Sequence, residues 1–371
     1  MASSSGRRRL LAVLVAVAAL VIGAGFVAWW MWRPAAFHEP RDVAALAREI
    51  ERVVPGSLRA HHVPGASVAV VQGGTVRWTA SYGLADAAAR RPMTPQTVMQ
   101  IASVSKTVAA YAVVRLALRG RVALDAPVDR FTGGWRLPRS EFDGRGVTLR
   151  RLMSHTAGIN VDGYPGLPLE RALPSTEGSL AGVSRAGRVR IAEAPGGGFR
   201  YSGGGYTIAQ LALEQTTGEP FSAVVAHEVL RPLDMNRTGF ACTTSASPSA
   251  RAARGHDRAG EPLPAYRFRE QAAAGVCSTA TDMGRFAAAL LDGPVAAAMS
   301  EPAPHTDGRF GLGVHVEQLR DGTRRLWHDG ANRGWRARLE AFPDRDWALV
   351  VLTNGDNGDD VIEDVTRLLV R

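Results

Sequence analysis

Apolar residues Val43, Leu46, Ile50 and Val54 recur every three or four positions, a spacing that predicts a helix over residues 41–54 with one apolar face. Residues 66–72 and 76–82 are rich in Val, Tyr and Trp and flank Gly73-Gly74, which predicts two strands joined by a tight turn. Past Pro95 the pattern changes: residues 106–118 are Ala-, Val- and Leu-rich, with Gly120 placed to end a helix. Helical stretches then alternate with Gly- and Pro-rich loops as far as about Leu291. Strands are expected over 310–317, 324–328, 338–342 and 347–352, and a closing helix over 361–370. Strands thus sit at both ends of a body spanning residues 41–371, as expected of a sheet part (about 41–95 and 305–371) interrupted by a helical lobe (about 96–304). No internal repeat is visible.

Ahead of this body, residues 10–32 run for 23 positions without a charge, long enough to cross a hydrocarbon core. Trp29, Trp30 and Trp32 suit the interface at its far end. A cleaved signal peptide is the other reading, but the run is longer than an ordinary signal core and ends in bulky residues where cleavage wants small ones. An uncleaved anchor is therefore expected. Arg7, Arg8 and Arg9 precede the run and Arg33 alone follows it, so residues 1–9 are expected in the cytoplasm. After a linker at 33–40, the body is expected on the periplasmic or cell-surface side of a single-pass membrane protein.

The formal charge of +9 owes much to those four arginines: residues 34–371 hold 40 basic against 35 acidic groups. No basic tract with interleaved aromatics occurs there, so no nucleic-acid partner is expected. With 46% hydrophobic and 21% charged residues, the chain can bury a large core. The two cysteines, Cys242 and Cys277, agree with an oxidising compartment; sequence leaves open whether they pair or stay as buried thiols.

The 44 basic residues include a single lysine, Lys106, three positions after Ser103. Arginine replaces lysine freely where only charge matters, but not where a side chain must give up its proton. Three residues span nearly one helical turn, which places Ser103 Oγ and the Lys106 amine on the same side of a helix start. An amine shielded from water, or set beside other positive charge, can take a serine's proton. The N-terminal end of the helix favours an anionic oxygen and leaves backbone N–H groups free to bind it.

Ser103-Val104-Ser105-Lys106 resembles the S-x-x-K motif of the serine β-lactamase and penicillin-binding-protein superfamily. The likeness extends along nearly the whole body and is greatest to the class C-like branch, which includes D-stereospecific peptidases and esterases. The stretches Leu152-Met153-Ser154-His155-Thr156-Ala157-Gly158-Ile159, Pro232-Leu233-Asp234-Met235 with Thr238, and Ser278-Thr279-Ala280-Thr281-Asp282 are similar to markers of that branch. Tyr201-Ser202-Gly203 stands where the family has Y-x-N, and His328-Asp329-Gly330 where it has K-T-G or H-x-G. The resemblance implies an α/β (α+β) β-lactamase/transpeptidase-like fold: an antiparallel sheet with flanking helices, interrupted by a mostly helical lobe. It also implies a hydrolase that needs no cofactor or metal, with Ser103 as nucleophile and Lys106 and Tyr201 sharing proton transfer. The N–H groups of Ser103 and Ala331 are the implied oxyanion donors. His328, beside Gly330, is the implied contact to substrate or to the proton network; His155 is read as structural.

Two departures bear on the substrate. Gly203 removes the family's Asn amide, and His328 need not carry the charge of the lysine in K-T-G. Efficient β-lactam hydrolysis is thereby less expected than turnover of an ester, an amide or a D-amino-acid peptide. Other hydrolase signatures are broken: Gly182-Val183-Ser184-Arg185-Ala186 lacks the final Gly of a nucleophile elbow, and His227-Glu228-Val229-Leu230-Arg231 the second zinc-binding His. The competing reading from another class is a catalytically weak, membrane-tethered module that binds cell-wall peptide. Retention of Ser103, Lys106 and Tyr201 together speaks for the enzyme.

Overall fold

The computed structural model describes residues 35–240, 242 and 252–371. Residues 10–32, read above as an anchor, lie outside these. Among the described residues no helix is long and apolar enough to cross a membrane.

A seven-stranded antiparallel sheet forms the frame, in the order β3-β2-β1-β11-β10-β9-β8. Its strands are β1 (Gly65–Gln72), β2 (Thr75–Asp86), β3 (Arg91–Pro92), β8 (His315–Gln318), β9 (Arg324–Asn332), β10 (Trp335–Phe342) and β11 (Trp347–Thr353). The centre is a pairing between the two ends of the body, running from Ala66 opposite Thr353 to Gln72 opposite Trp347. Every residue of β11 is buried, and all of β1 but Gln72. Both sheet faces are covered there, which is why these strands read as unbroken apolar runs and show no alternation. At the β1–β2 turn Gly73 and Gly74 both have φ near +60°, a backbone that two-residue hairpins require and glycine adopts without strain.

Helices α1 (Val43–Ala60) and α10 (Gly358–Thr366) cover one face, packing Leu46, Ile50, Val54 and Leu58 with Val361 and Val365 against Val68, Val70, Leu349 and Val351. Helix α1 runs six residues past the expected end, through Pro55. An interior proline costs about 3 kcal/mol. Burial of Val54 and Leu58, worth roughly 1.5–3 kcal/mol each, offsets that loss, and Ser57 Oγ donates to Asp364 Oδ2 at 2.7 Å.

The opposite face carries α8 (Ala280–Ala288) and, beyond it, the helical lobe around α2 (Val104–Leu118) and α5 (Gly203–Thr217). Helix α8 falls within the interval expected to form the lobe, yet it lies directly on the sheet. Gly284 makes this possible, since a Cβ there would stand 2.9 Å from Val76 and 3.2 Å from Ala69. Smaller elements of the lobe include β4 (Met99–Gln100), α3 (Leu149–Met153), β5 (Leu167–Pro168), α4 (Thr176–Leu180), α6 (Phe221–Val225), β6 (Tyr266–Arg267), α7 (Gln271–Ala274) and β7 (Cys277–Ser278), with α9 (Pro294–Ser300) after α8.

The strand expected over 310–317 is formed only from His315. Gly313, at φ +75°, turns the chain, and its carbonyl accepts from Thr107 Oγ1 at 2.8 Å, so the alternating Phe310-Gly311-Leu312-Gly313-Val314 is a loop packed on α2. Strands β9 and β10 reach further toward their shared turn than expected, and the last helix ends at Thr366.

The branch markers 232–238 and 278–282 meet in space. Thr238 Oγ1 lies 2.7 Å from Ser278 Oγ and 3.0 Å from Asp282 Oδ2, and Asp282, buried, pairs with Arg285 at 2.7 Å. Beside them Cys242 and Cys277 are joined in a disulfide with Cα atoms 5.6 Å apart.

Candidate active site

Strand β4 pairs with β7, and the next amide, Ile101 N–H, donates to Val276 O at 3.1 Å. The chain then reverses at Ala102, whose φ of +49° costs a non-glycine residue roughly 1–2 kcal/mol. That turn delivers half-buried Ser103 to the first turn of α2, and Lys106 follows on the same side. Lys106 Nζ lies 3.0 Å from Ser103 Oγ and donates to the carbonyl of Ala273, in α7, at 2.7 Å. The lysine is 1% exposed, and among the described residues no carboxylate pairs with it. Helix α7 is itself fixed from two sides: Gln210 Oε1 accepts from Ala272 N–H at 3.1 Å, and Asn332 Nδ2 donates to Ala274 O at 3.3 Å.

Tyr201 precedes α5, and the centre of its ring is 4.9 Å from Lys106 Nζ. Its backbone neighbours lean on the 155–162 loop. Arg200 N–H donates to His155 O at 2.7 Å and Ser202 N–H to His155 Nδ1 at 3.0 Å, while Gly203 and Gly204 N–H donate to Asp162 O and Val161 O. Where the family carries Asn, a Cβ on Gly203 would lie 3.0 Å from Asp162 O and 3.4 Å from the ring of Tyr164. A side chain at 203 would therefore press on both neighbours, and Tyr164 is fastened there by a 2.9 Å hydrogen bond from Thr207 Oγ1.

The third motif runs along β9 where it outlasts β8, so residues 329–332 have a strand partner on β10 only. Gly330 presses on the nucleophile turn: a Cβ there would stand 2.2 Å from Ile101 O and 3.2 Å from Ala102 Cβ. Ala331 is exposed at this edge. His328, 2% exposed, has Nδ1 2.6 Å from Asp329 O. A carbonyl only accepts, so Nδ1 carries the proton and Nε2, buried without a partner among the described residues, presents a lone pair. Burial first, then the charge of Lys106, pushes the His328 pKa down to about 3, and the ring is neutral at any ordinary working pH.

The structure thus brings Ser103, Lys106, Tyr201, His328 and Gly330 around one spot. Sequence reasoning missed Ala273, which acts through its carbonyl and carries no mark of residue type. It also missed the aromatic packing of Phe199 and Phe310 on His155, with ring centres 5.6 and 5.1 Å away.

Comparison with known proteins agrees with this arrangement. The Beta-lactamase family model matches residues 47–370. The esterase EstB of Burkholderia gladioli is 33% identical over 230 residues, 60% of this chain and 58% of the esterase, so the chain spans little more than half of that relative. Among solved structures, an octameric penicillin-binding protein homologue from Pyrococcus abyssi superposes with a TM-score of 0.73 at 22% identity, covering 87% of this chain and 76% of that one. A D-stereospecific amidohydrolase from a Streptomyces species gives 0.67 at 22%, covering 85% and 97%. At such identities the two structures speak for the fold alone, but with the family match across nearly the whole described body, the chain belongs to the Beta-lactamase family.

Proposed function

We propose that the chain is a serine hydrolase acting through a Ser103 acyl-enzyme on an ester, an amide or a D-amino-acid peptide. The observation that carries this reading is the buried Lys106 amine, held between Ser103 Oγ and the Ala273 carbonyl. In the proton-accepting step the amine keeps its N–H to Ala273 O and offers its lone pair to the serine hydroxyl. Ser103 passes its proton to Lys106 as Oγ attacks the substrate carbonyl. The N–H groups of Ser103 and Ala331 bind the resulting oxyanion, helped by the N-terminal end of α2. Tyr201, against the lysine, relays the proton to the leaving group, and the reverse sequence with water releases the acid.

Support for an ester or peptide-like substrate over a β-lactam comes from the crowded Gly203 and the neutral His328, which supplies no cation for a substrate carboxylate. EstB, named as an esterase, is in keeping with it. A fluorophosphonate probe is expected to label Ser103. In a screen of short-chain p-nitrophenyl esters, nitrocefin and D-amino-acid peptides, esters or peptides are expected to turn over, and Ser103→Ala to abolish both signals. A folded protein that is neither labelled nor active would instead be a binding module for cell-wall peptide.

The same reading places the enzyme on a membrane, with residues 10–32 as anchor and the body extracytoplasmic. The Cys242–Cys277 disulfide suits that compartment. Protease added to intact cells or spheroplasts is expected to digest the body along with a known exported control; protection of the body alone would refute this topology.

A further inference from the structure

Tyr201 lies in a segment without regular structure, between the glycine run 196–198 and α5, so no strand or helix fixes its place. Its backbone amides must find partners elsewhere. The amides on either side of it find the same residue: Arg200 N–H donates to the His155 carbonyl at 2.7 Å and Ser202 N–H to His155 Nδ1 at 3.0 Å. The imidazole also lies along the phenol ring, with centres 4.3 Å apart and planes 31° from parallel.

This grip has costs. His155 has a φ of +59°, which a residue with a Cβ adopts only under strain. Because Nδ1 accepts, the proton sits on Nε2, and that N–H is buried without a partner among the described residues. Burial first, then the charge of Lys106, holds the imidazole well below its usual pKa, which keeps it neutral and leaves the Nδ1 lone pair available to Ser202. Any residue type could offer the carbonyl to Arg200 N–H, but the bond to Ser202 N–H needs the imidazole in this tautomer.

We infer that His155 is a positioning residue that sets the phenol of Tyr201 against Lys106 through paired hydrogen bonds to the flanking amides. The inference rests on the reading of Tyr201 as proton relay.

Its test is a set of variants assayed on the best ester, with active sites titrated by fluorophosphonate and folding checked by thermal melting. Tyr201→Phe is expected to lower kcat. His155→Ala is expected to lower kcat on the order of ten- to a hundredfold with KM little changed, the loss typical of a displaced catalytic group. His155→Asn should recover most of that activity, because its Oδ1 takes the place of Nδ1 and Asn tolerates the left-handed backbone. His155→Gln, whose amide lies one carbon further out, should not. In a Tyr201→Phe background, His155→Ala should add less than about a twofold loss, since the group it positions is already gone.

Equal activity of the Asn and Gln variants, or losses that multiply in the double mutant, would overturn the inference while leaving the Tyr201 reading intact. An unchanged kcat in Tyr201→Phe alone would overturn both. Should His155→Ala fail to fold, the Asn and Gln pair decides the matter.

Discussion

Lys106→Arg is expected to abolish turnover as thoroughly as Lys106→Ala, although arginine serves at all the other basic positions of the chain. The amine sits between Ser103 Oγ and Ala273 O, and the proposed mechanism has it accept a proton in one half of the cycle and return it in the other. A guanidinium keeps its proton at any working pH, so charge and reach are preserved while the base is lost. Loss of a general base commonly costs about 10² to 10⁴ in rate, well separated from a small steric effect. Because Lys106 is 1% exposed, the larger group can also disturb packing, and both variants should be melted before they are assayed. A folded Lys106→Arg enzyme with near-wild-type kcat would mean that the lysine is not a base and that the Ser-Lys mechanism is wrong.

Gly330→Ala should be nearly as damaging, for a steric reason. One methyl group at this position would stand 2.2 Å from the carbonyl oxygen of Ile101, and both sides of the clash are backbone. Either β9 retreats, taking the Ala331 N–H with it, or the turn at Ala102 gives way and moves Ser103. A displacement of about 1 Å at a reacting centre can cost on the order of a hundredfold, so a kcat/KM loss of about that size is expected, with KM the lesser part. Overpacking should also lower stability by about 1–3 kcal/mol, visible as a lower Tm. Wild-type kcat/KM in Gly330→Ala would show that contact between β9 and the nucleophile turn does not set the site.

The parts of this site visible in the sequence are those where chemistry restricts the residue type. One lysine among 44 basic residues marks itself, and its spacing from Ser103 follows from the pitch of a helix. The central strands were visible because both faces are covered and their apolar runs are unbroken. Contacts made by backbone were not visible. Ala273 serves through its carbonyl, and nothing in Gln271-Ala272-Ala273-Ala274 distinguishes the third residue. The apolar spacing that marks the first helix ends at Val54, yet long-range burial of Leu58 carries α1 on through Pro55. Phe310-Gly311-Leu312-Gly313-Val314 has the alternation of a strand, but a positive φ at Gly313 makes it a loop. His155 reads as structural in the sequence, and its hydrogen bond to Ser202 N–H, 47 residues further along the chain, has no local signature.

The pairing of β1 with β11 also governs when the molecule can come into being. Both strands that flank β11 present a hydrogen-bonding edge that residues 347–353 fill, and those residues are made well after β1 and α2. A chain emerging from its N-terminus has the nucleophile helix long before the centre of its sheet. The pairing of β11 with β1 spans some 280 residues, so the sheet cannot close before residues 347–353 have been made. The growing chain therefore carries its nucleophile helix without a closed sheet until β11 is made.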